Sequence, residues 1–237
     1  MYEVGAEQKL YFKQMFKVIE LMGYKWAREC VHIDHGLYLD GDGKKFATRK
    51  GKIVFMDAIL SETIQIAKEE ILKRSAVSKK ELEKRALAIA RAAILYGDLK
   101  NYRGHDMVFD IDRFVSFEGD TGPYLLYSYA RAKSILRKKR SKQNKIGAIN
   151  ALNLHERALV NALARFPEIV QEAANAYAPN IIAQYAYTLA QIFNEFYHKE
   201  QVIGSEQEHF RLILVKAFAQ VLKNALYLLG IPVLEEM

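Results

Sequence analysis

From Asp57 onward apolar residues keep returning at helical spacing, which commits most of the chain to helices. Ser78 with Glu81 reads as a capping box for a helix through Ala86, Ile89, Ala90, Ala93 and Ile94, ending near Gly97. Thr121 reads as the cap of another, with Pro123 in its first turn and Tyr124, Tyr127, Ala130, Ile135 and Leu136 along it. Further helices are expected over about 148–164, 167–177 and 179–197. The last begins at Ser205, with Glu208 three residues on, and stops at Gly230 before Pro232.

The front of the chain reads differently. Leu10, Phe12, Met15, Phe16, Ile19 and Met22 share a helical spacing closed by Gly23. Residues 31–39 read as a strand turning at Gly41-Asp42-Gly43, and Ile53-Val54-Phe55 as a short second strand. Residues 101–117, the least regular stretch, read as the joint between two domains. The expectation is a small α/β piece followed by an all-helical bundle.

With 237 residues, 51% apolar and 27% charged, the chain can build one large core or two smaller ones as an ordinary soluble protein. No apolar run reaches membrane-spanning length and the N-terminus lacks a signal peptide's apolar segment, so a cytoplasmic location is expected. Cys30 is the only cysteine, which excludes an intrachain disulfide and argues against a Cys-based zinc site. A formal charge of +7 favours an anionic partner, nucleic acid or nucleotide, without choosing between them.

Two charge runs stand out. Lys44-Lys45-Phe46-Ala47-Thr48-Arg49-Lys50 carries four cations and no acid, entered through a glycine-rich turn. Backbone donors and several Lys/Arg heads can surround a polyphosphate and stabilise charge developing during its transfer. Alone, such a run reads first as a solvated basic turn. The second run holds Arg131, Lys133, Arg137, Lys138, Lys139, Arg140, Lys142 and Lys145 with no acid between them. It reads as a solvated helix face or as a contact to phosphates.

Three segments together resemble arginyl-tRNA synthetase, a class I aminoacyl-tRNA synthetase. Val4-Gly5-Ala6-Glu7-Gln8 with Phe12-Lys13-Gln14 is similar to a strand-to-helix segment late in the catalytic domain. Gly43-Lys44-Lys45-Phe46-Ala47-Thr48-Arg49-Lys50-Gly51-Lys52-Ile53-Val54 resembles the family's variant of the KMSKS loop. The longest match, Phe117-Glu118-Gly119-Asp120-Thr121-Gly122-Pro123-Tyr124-Leu125-Leu126-Tyr127-Ser128-Tyr129-Ala130-Arg131, resembles the entry into the anticodon-binding helical domain. Leu228-Leu229-Gly230-Ile231-Pro232 also fits the family. The HIGH-type His-x-Gly-His signature is absent, because His35-Gly36 lacks the second His. The resemblance therefore covers the C-terminal part of the family's length, and Met1 would fall inside a synthetase, as in a fragment, a split gene or a decayed gene.

The resemblance implies a mainly α fold: the remnant of a Rossmann-type α/β catalytic domain (1–118, one or two strands), then an all-α anticodon-binding bundle (119–237). It implies an arginine–tRNA ligase, which joins arginine to ATP, releasing pyrophosphate, and moves the arginyl group to tRNA(Arg). Lys45 and Arg49 are the expected catalytic cations. Lys44, Lys45, Thr48, Arg49, Gln8, His35 and Gly36 are the expected ATP contacts, and Arg131, Arg137, Lys138, Lys139 and Arg140 the expected tRNA contacts. Mg²⁺ would arrive with ATP; no metal-ligand set and no tightly bound cofactor is expected. Among Tyr177, Tyr185, Tyr187, Phe193, Phe196, Tyr197 and Tyr227, one or two are expected to touch the anticodon. The chain is expected to be inactive without the N-terminal half of the enzyme. A free-standing tRNA-binding module derived from it, or a nucleotide-binding protein of other function, are the competing readings.

Overall fold

The computed structural model describes residues 1–39, 43–44, 55–74, 76–108, 114–138 and 151–237. Two compact units emerge, one of residues 1–54 with 101–110, the other of 55–100 with 111–237. Among the described residues no helix is long and apolar enough to cross a membrane.

In the first unit β1 (Tyr2–Gly5) pairs in parallel with β2 (His32–His35), Tyr2 opposite His32 and Gly5 opposite His35. Helix α1 (Lys9–Leu21) connects them and is capped by Met22, before Gly23, whose φ of +94° suits a residue without a Cβ. Phe12 is the buried anchor of α1. Its ring stacks on His32 at 4.5 Å and meets Tyr2 at 5.5 Å, while His32 Nε2 lies 2.9 Å from the Val4 carbonyl.

The strand expected over 31–39 is broken in two. Gly36 N–H leaves the sheet to donate to the Arg103 carbonyl at 2.7 Å, and β3 (Tyr38–Leu39) pairs instead with β4 (Met107–Val108). A Cβ on Gly36 would sit 2.3 Å from the His105 carbonyl oxygen, so the crossing needs glycine there. Residues 101–108 are thus built into the first unit rather than strung between two. Of the strand expected at Ile53-Val54-Phe55, residues 53 and 54 lie outside the described residues. Phe55 carries no strand; its carbonyl accepts from the Ala58 and Ile59 amides at the start of α2.

In the second unit α2 (Met56–Arg74) packs along α3 (Lys79–Leu99), and α3 continues onto α4 (Gly122–Arg137). Helices α5 (Leu154–Ala164), α6 (Phe166–Ala176), α7 (Pro179–Lys199) and α8 (Glu208–Leu228) complete the bundle. Its core gathers Ile89, Leu125, Leu126, Leu189, Leu222 and Leu226, with Phe193 and Phe218 stacked at 3.7 Å. Buried Glu156 is held by Arg211 Nε at 2.9 Å, and the same guanidinium reaches Glu200 at 2.8 Å, tying α5, α7 and α8 together.

The caps divide by mechanism. Ser78 Oγ accepts from the Glu81 amide at 3.3 Å, but the Glu81 carboxylate turns to Arg85, so only half of the expected box forms. Helix α3 also runs past Gly97. The reciprocal box belongs to Asn153 and Glu156, which start α5 later than residue 148. Ser205 caps nothing. Its hydroxyl donates to the Val202 carbonyl, while the Glu208 carboxylate accepts the Gly204 amide and α8 begins at Glu208.

Thr121 does cap α4, its Oγ1 accepting from the Tyr124 amide at 3.3 Å and donating to the Ser116 carbonyl. Thr121→Ala loses both bonds and is expected to destabilise the chain by about 1 kcal/mol. A thermal melt shifted by less than experimental scatter would contradict that role.

Candidate functional site

Helices α4 and α7 bring Tyr127, Arg131 and Tyr197 to one wall of a groove of about 730 Å³, entirely within the helical unit. Arg131 is one turn beyond Tyr127 on α4, and its guanidinium lies 4.7 Å from the Tyr127 ring centre and 5.4 Å from that of Tyr197. Its Nη1 donates to Asn194 Oδ1, and the Asn194 amide donates in turn to the Tyr124 hydroxyl at 2.8 Å and Ser128 Oγ at 3.0 Å. Among the described residues no carboxylate pairs with Arg131. A planar cation is thus held between two half-exposed aromatic faces by neutral partners, with its charge uncancelled. Such an arrangement suits stacking against an unpaired base and attraction to a phosphate.

A smaller recess of about 310 Å³ opens beside the groove, between Phe117, Glu118, Gly119 and the same Tyr127 and Arg131. The turn that shapes it is fixed from α3. The Tyr96 hydroxyl donates to Asp120 Oδ1 at 2.6 Å and Lys100 Nζ donates to the Asp120 carbonyl at 2.6 Å. Burial, then the hydrogen bond to Asp120, pushes the Tyr96 phenol far above its ordinary pKa, so it stays a donor.

The remaining cations of the run behave differently. Arg137 donates to the Glu235 carbonyl at 3.1 Å and pairs with Glu236 at 3.4 Å; Lys133 pairs with Glu235 at 2.9 Å. Lys138 is exposed at the groove edge. Lys139, Arg140, Lys142 and Lys145 lie outside the described residues.

Of the aromatics offered for stacking, Phe193 and Phe196 are core. Tyr185 donates to the Ala162 carbonyl at 2.9 Å, with burial pushing its phenol up to about 12. Tyr187 packs against Tyr124 at 5.6 Å, and Tyr177 ends α6 in the left-handed region at φ 49°. Tyr227 is exposed on α8, away from the groove lining. Tyr197 alone of the seven lines the groove. Tyr127 and Asn194 were missed. Tyr127, four residues before Arg131, carries a readable i, i+4 signal; Asn194 carries none beyond being a polar residue inside an aromatic-rich helix.

In the first unit Gln8 and His35-Gly36 both follow the carboxyl ends of the paired strands β1 and β2. Gln8 is exposed, and its side chain makes no cap to α1. His35 Nδ1 lies 2.9 Å from the Gly36 carbonyl. Lys9 pairs with Asp34 at 3.3 Å; against the effect of burial, that hydrogen bond lowers the Asp34 pKa. Lys44 is exposed. Lys45, Thr48, Arg49 and Lys50 lie outside the described residues.

Comparison with known proteins divides the chain elsewhere, with α2 and α3 falling inside the first match. Residues 1–111 match the model of tRNA synthetases class I (R), catalytic domain, and residues 125–237 match the DALR anticodon binding domain. Arginine–tRNA ligase of Halothermothrix orenii is 39% identical over all of the chain, and that of Clostridium botulinum 40%; the chain spans 42% of the length of each. Among solved structures, Thermus thermophilus arginyl-tRNA synthetase superposes with a TM-score of 0.84 at 30% identity over 94% of the chain and 38% of its own. A Plasmodium falciparum arginyl-tRNA synthetase shares the fold, with a TM-score of 0.84 at 24% identity over 100% of the chain and 41% of its own.

Proposed function

Because the chain belongs to the arginyl-tRNA synthetase family and spans part of that enzyme, we propose that it is the loop-carrying, anticodon-gripping portion of an arginine–tRNA ligase. Function divides near residue 118. Residues 1–118 contribute the basic loop to ATP-dependent arginine activation, and residues 119–237 hold tRNA(Arg). ATP arrives with Mg²⁺ as substrate in the cytoplasm, its phosphates met by Lys44, Lys45, Thr48 and Arg49. Gln8 and His35-Gly36 lie at the strand ends, where ligands of open parallel sheets bind.

A two-stranded parallel sheet is a small part of any catalytic domain of this kind, since parallel strands are normally covered on both faces. On α1, Leu10, Tyr11, Val18 and Leu21, with Met22 just beyond its end, leave an apolar face exposed. The rest of the class I catalytic domain is the occupant this face suits, and activity is expected only with that part present.

The observation that carries the RNA assignment is Arg131 held between Tyr127 and Tyr197 in an open groove. An aromatic stacking platform contributes about 1–3 kcal/mol per base. Tyr197→Ala is therefore expected to weaken tRNA(Arg) binding by roughly 10–100-fold, and Arg131→Gln by a comparable amount, measured by anisotropy with helix content unchanged. Binding within twofold of the parent chain for both variants would remove the groove from RNA recognition. A second reading, a free-standing RNA-binding module, is favoured by the groove and its core being built wholly from residues 55–100 and 111–237. Pyrophosphate exchange that stays absent with the rest of the enzyme supplied, alongside intact tRNA binding, would select it.

A further inference from the structure

The segment after α8 carries two acids onto the cationic face of α4. Glu235 meets Lys133 at 2.9 Å, Glu236 meets Arg137 at 3.4 Å, and Glu236 also meets Arg85 on α3 at 3.4 Å. Arg85 is nearly buried and already held by Glu81 at 2.8 Å, so the cations at stake are half-buried Lys133 and exposed Arg137. Both carboxylates remain more than half exposed, so a competing anion in solution can reach the same guanidinium and ammonium. The hydrogen bond from Lys133 keeps the Glu235 carboxyl below the usual carboxylate range, so it is charged wherever RNA binding would be measured.

Taking the groove as an RNA site, we propose that Glu235 and Glu236 occupy the places of RNA phosphates on Lys133 and Arg137 and thereby set the selectivity of binding. An RNA backbone arriving without further contacts must displace two intramolecular carboxylates and gains little. An RNA that also stacks a base against Tyr127, Arg131 and Tyr197 has the interaction to do so. The two acids thus act against non-specific binding, the undesired competitor of any basic surface.

The test compares the parent chain with E235Q/E236Q, binding a U20 oligonucleotide and a tRNA(Arg) transcript across a potassium chloride series. Each phosphate contact to a single strand adds about 0.7 to the slope of log K against log salt. Freeing two cations should steepen the U20 slope by about 1.4 and raise U20 affinity about tenfold near 0.1 M salt. The gain for the tRNA should be smaller, because its contacts already compete with the acids. Adding K133Q to the double variant should take back about half of the added slope.

Slopes and affinities equal to the parent chain's, with helix content unchanged, would overturn the proposal and leave the acids as anchors of residues 231–237. Should the double variant lose helix content, E235Q alone reads the Lys133 contribution, with about 0.7 of added slope expected and none contradicting. The tRNA assignment fails separately. A parent chain that binds no tRNA while E235Q/E236Q binds U20 steeply refutes the assignment and keeps the screening role; failure of both proteins to bind either RNA refutes both.

Discussion

Gly122→Ala lowers the stability of the chain by about 3 kcal/mol, a fall of roughly 10 °C in melting temperature for a protein of this size. The reason is a backbone collision. A Cβ on Gly122 would lie 2.0 Å from the Ala92 carbonyl oxygen and 2.4 Å from its carbon, where the first turn of α4 rests directly on α3. Neither side can yield as a long side chain would, because the obstacle is the peptide group of a helix whose Ala92 and Ala93 are fully buried. Separating the helices would open space around Leu125 and Leu126 and move Tyr127 and Arg131 relative to Tyr197. Loss of RNA binding should therefore accompany loss of stability. Gly230→Ala is the control: its φ of +72° disfavours alanine by only about 1–2 kcal/mol, and nothing but Leu95 Cδ1, at 3.9 Å, approaches the new methyl. A Gly122→Ala melt within 2 °C of the parent chain would contradict the close approach of α3 and α4.

If the chain has the proposed function, Lys45→Ala and Arg49→Ala, each placed in a ligase completed with the rest of the catalytic domain, are expected to lower ATP–pyrophosphate exchange by about 10²–10³, or roughly 3–4 kcal/mol of transition-state stabilisation. The fall belongs to kcat, because charge accumulates on the phosphate oxygens as the arginine carboxylate attacks and pyrophosphate departs. tRNA binding, proposed to draw on α4 and α7, is a separate readout and should not follow. A change in KM for ATP with kcat intact would make these cations uniform binders of ATP. Exchange unaffected by either substitution would return the run from Lys44 to Lys50 to a solvated basic turn.

How far the sequence speaks depends on the range of the interaction. Thr121 and Pro123 announce the start of α4 because both act within one turn, and the structure places the cap there. Ser78 and Ser205 look alike on paper, each with a Glu three residues on, yet only Ser78 accepts an amide. At Ser205 the preceding Gly204 amide takes the Glu208 carboxylate, and the hydroxyl turns back to Val202. The break between β2 and β3 was hidden because its cause lies nearly 70 residues away, in the Arg103 and His105 carbonyls that crowd Gly36. The groove shows the same limit. Tyr127 and Arg131 are neighbours on one helix face, but Asn194 and Tyr197 join them only through the packing of α4 against α7. Charge counting also leaves out Glu236, which pairs with Arg137 from 99 residues on, in a segment that reads as a plain helix exit.

In the proposed function the helical unit grips the anticodon loop of an arginine tRNA through the Tyr127–Arg131–Tyr197 wall. The most direct test of this is a titration of the chain with a tRNA(Arg) transcript and with the same RNA made abasic at its anticodon nucleotides, at one salt concentration. We predict binding of the first about tenfold tighter, the loss that follows when one stacked base of about 1–3 kcal/mol is removed. Equal affinities for the two RNAs would contradict it.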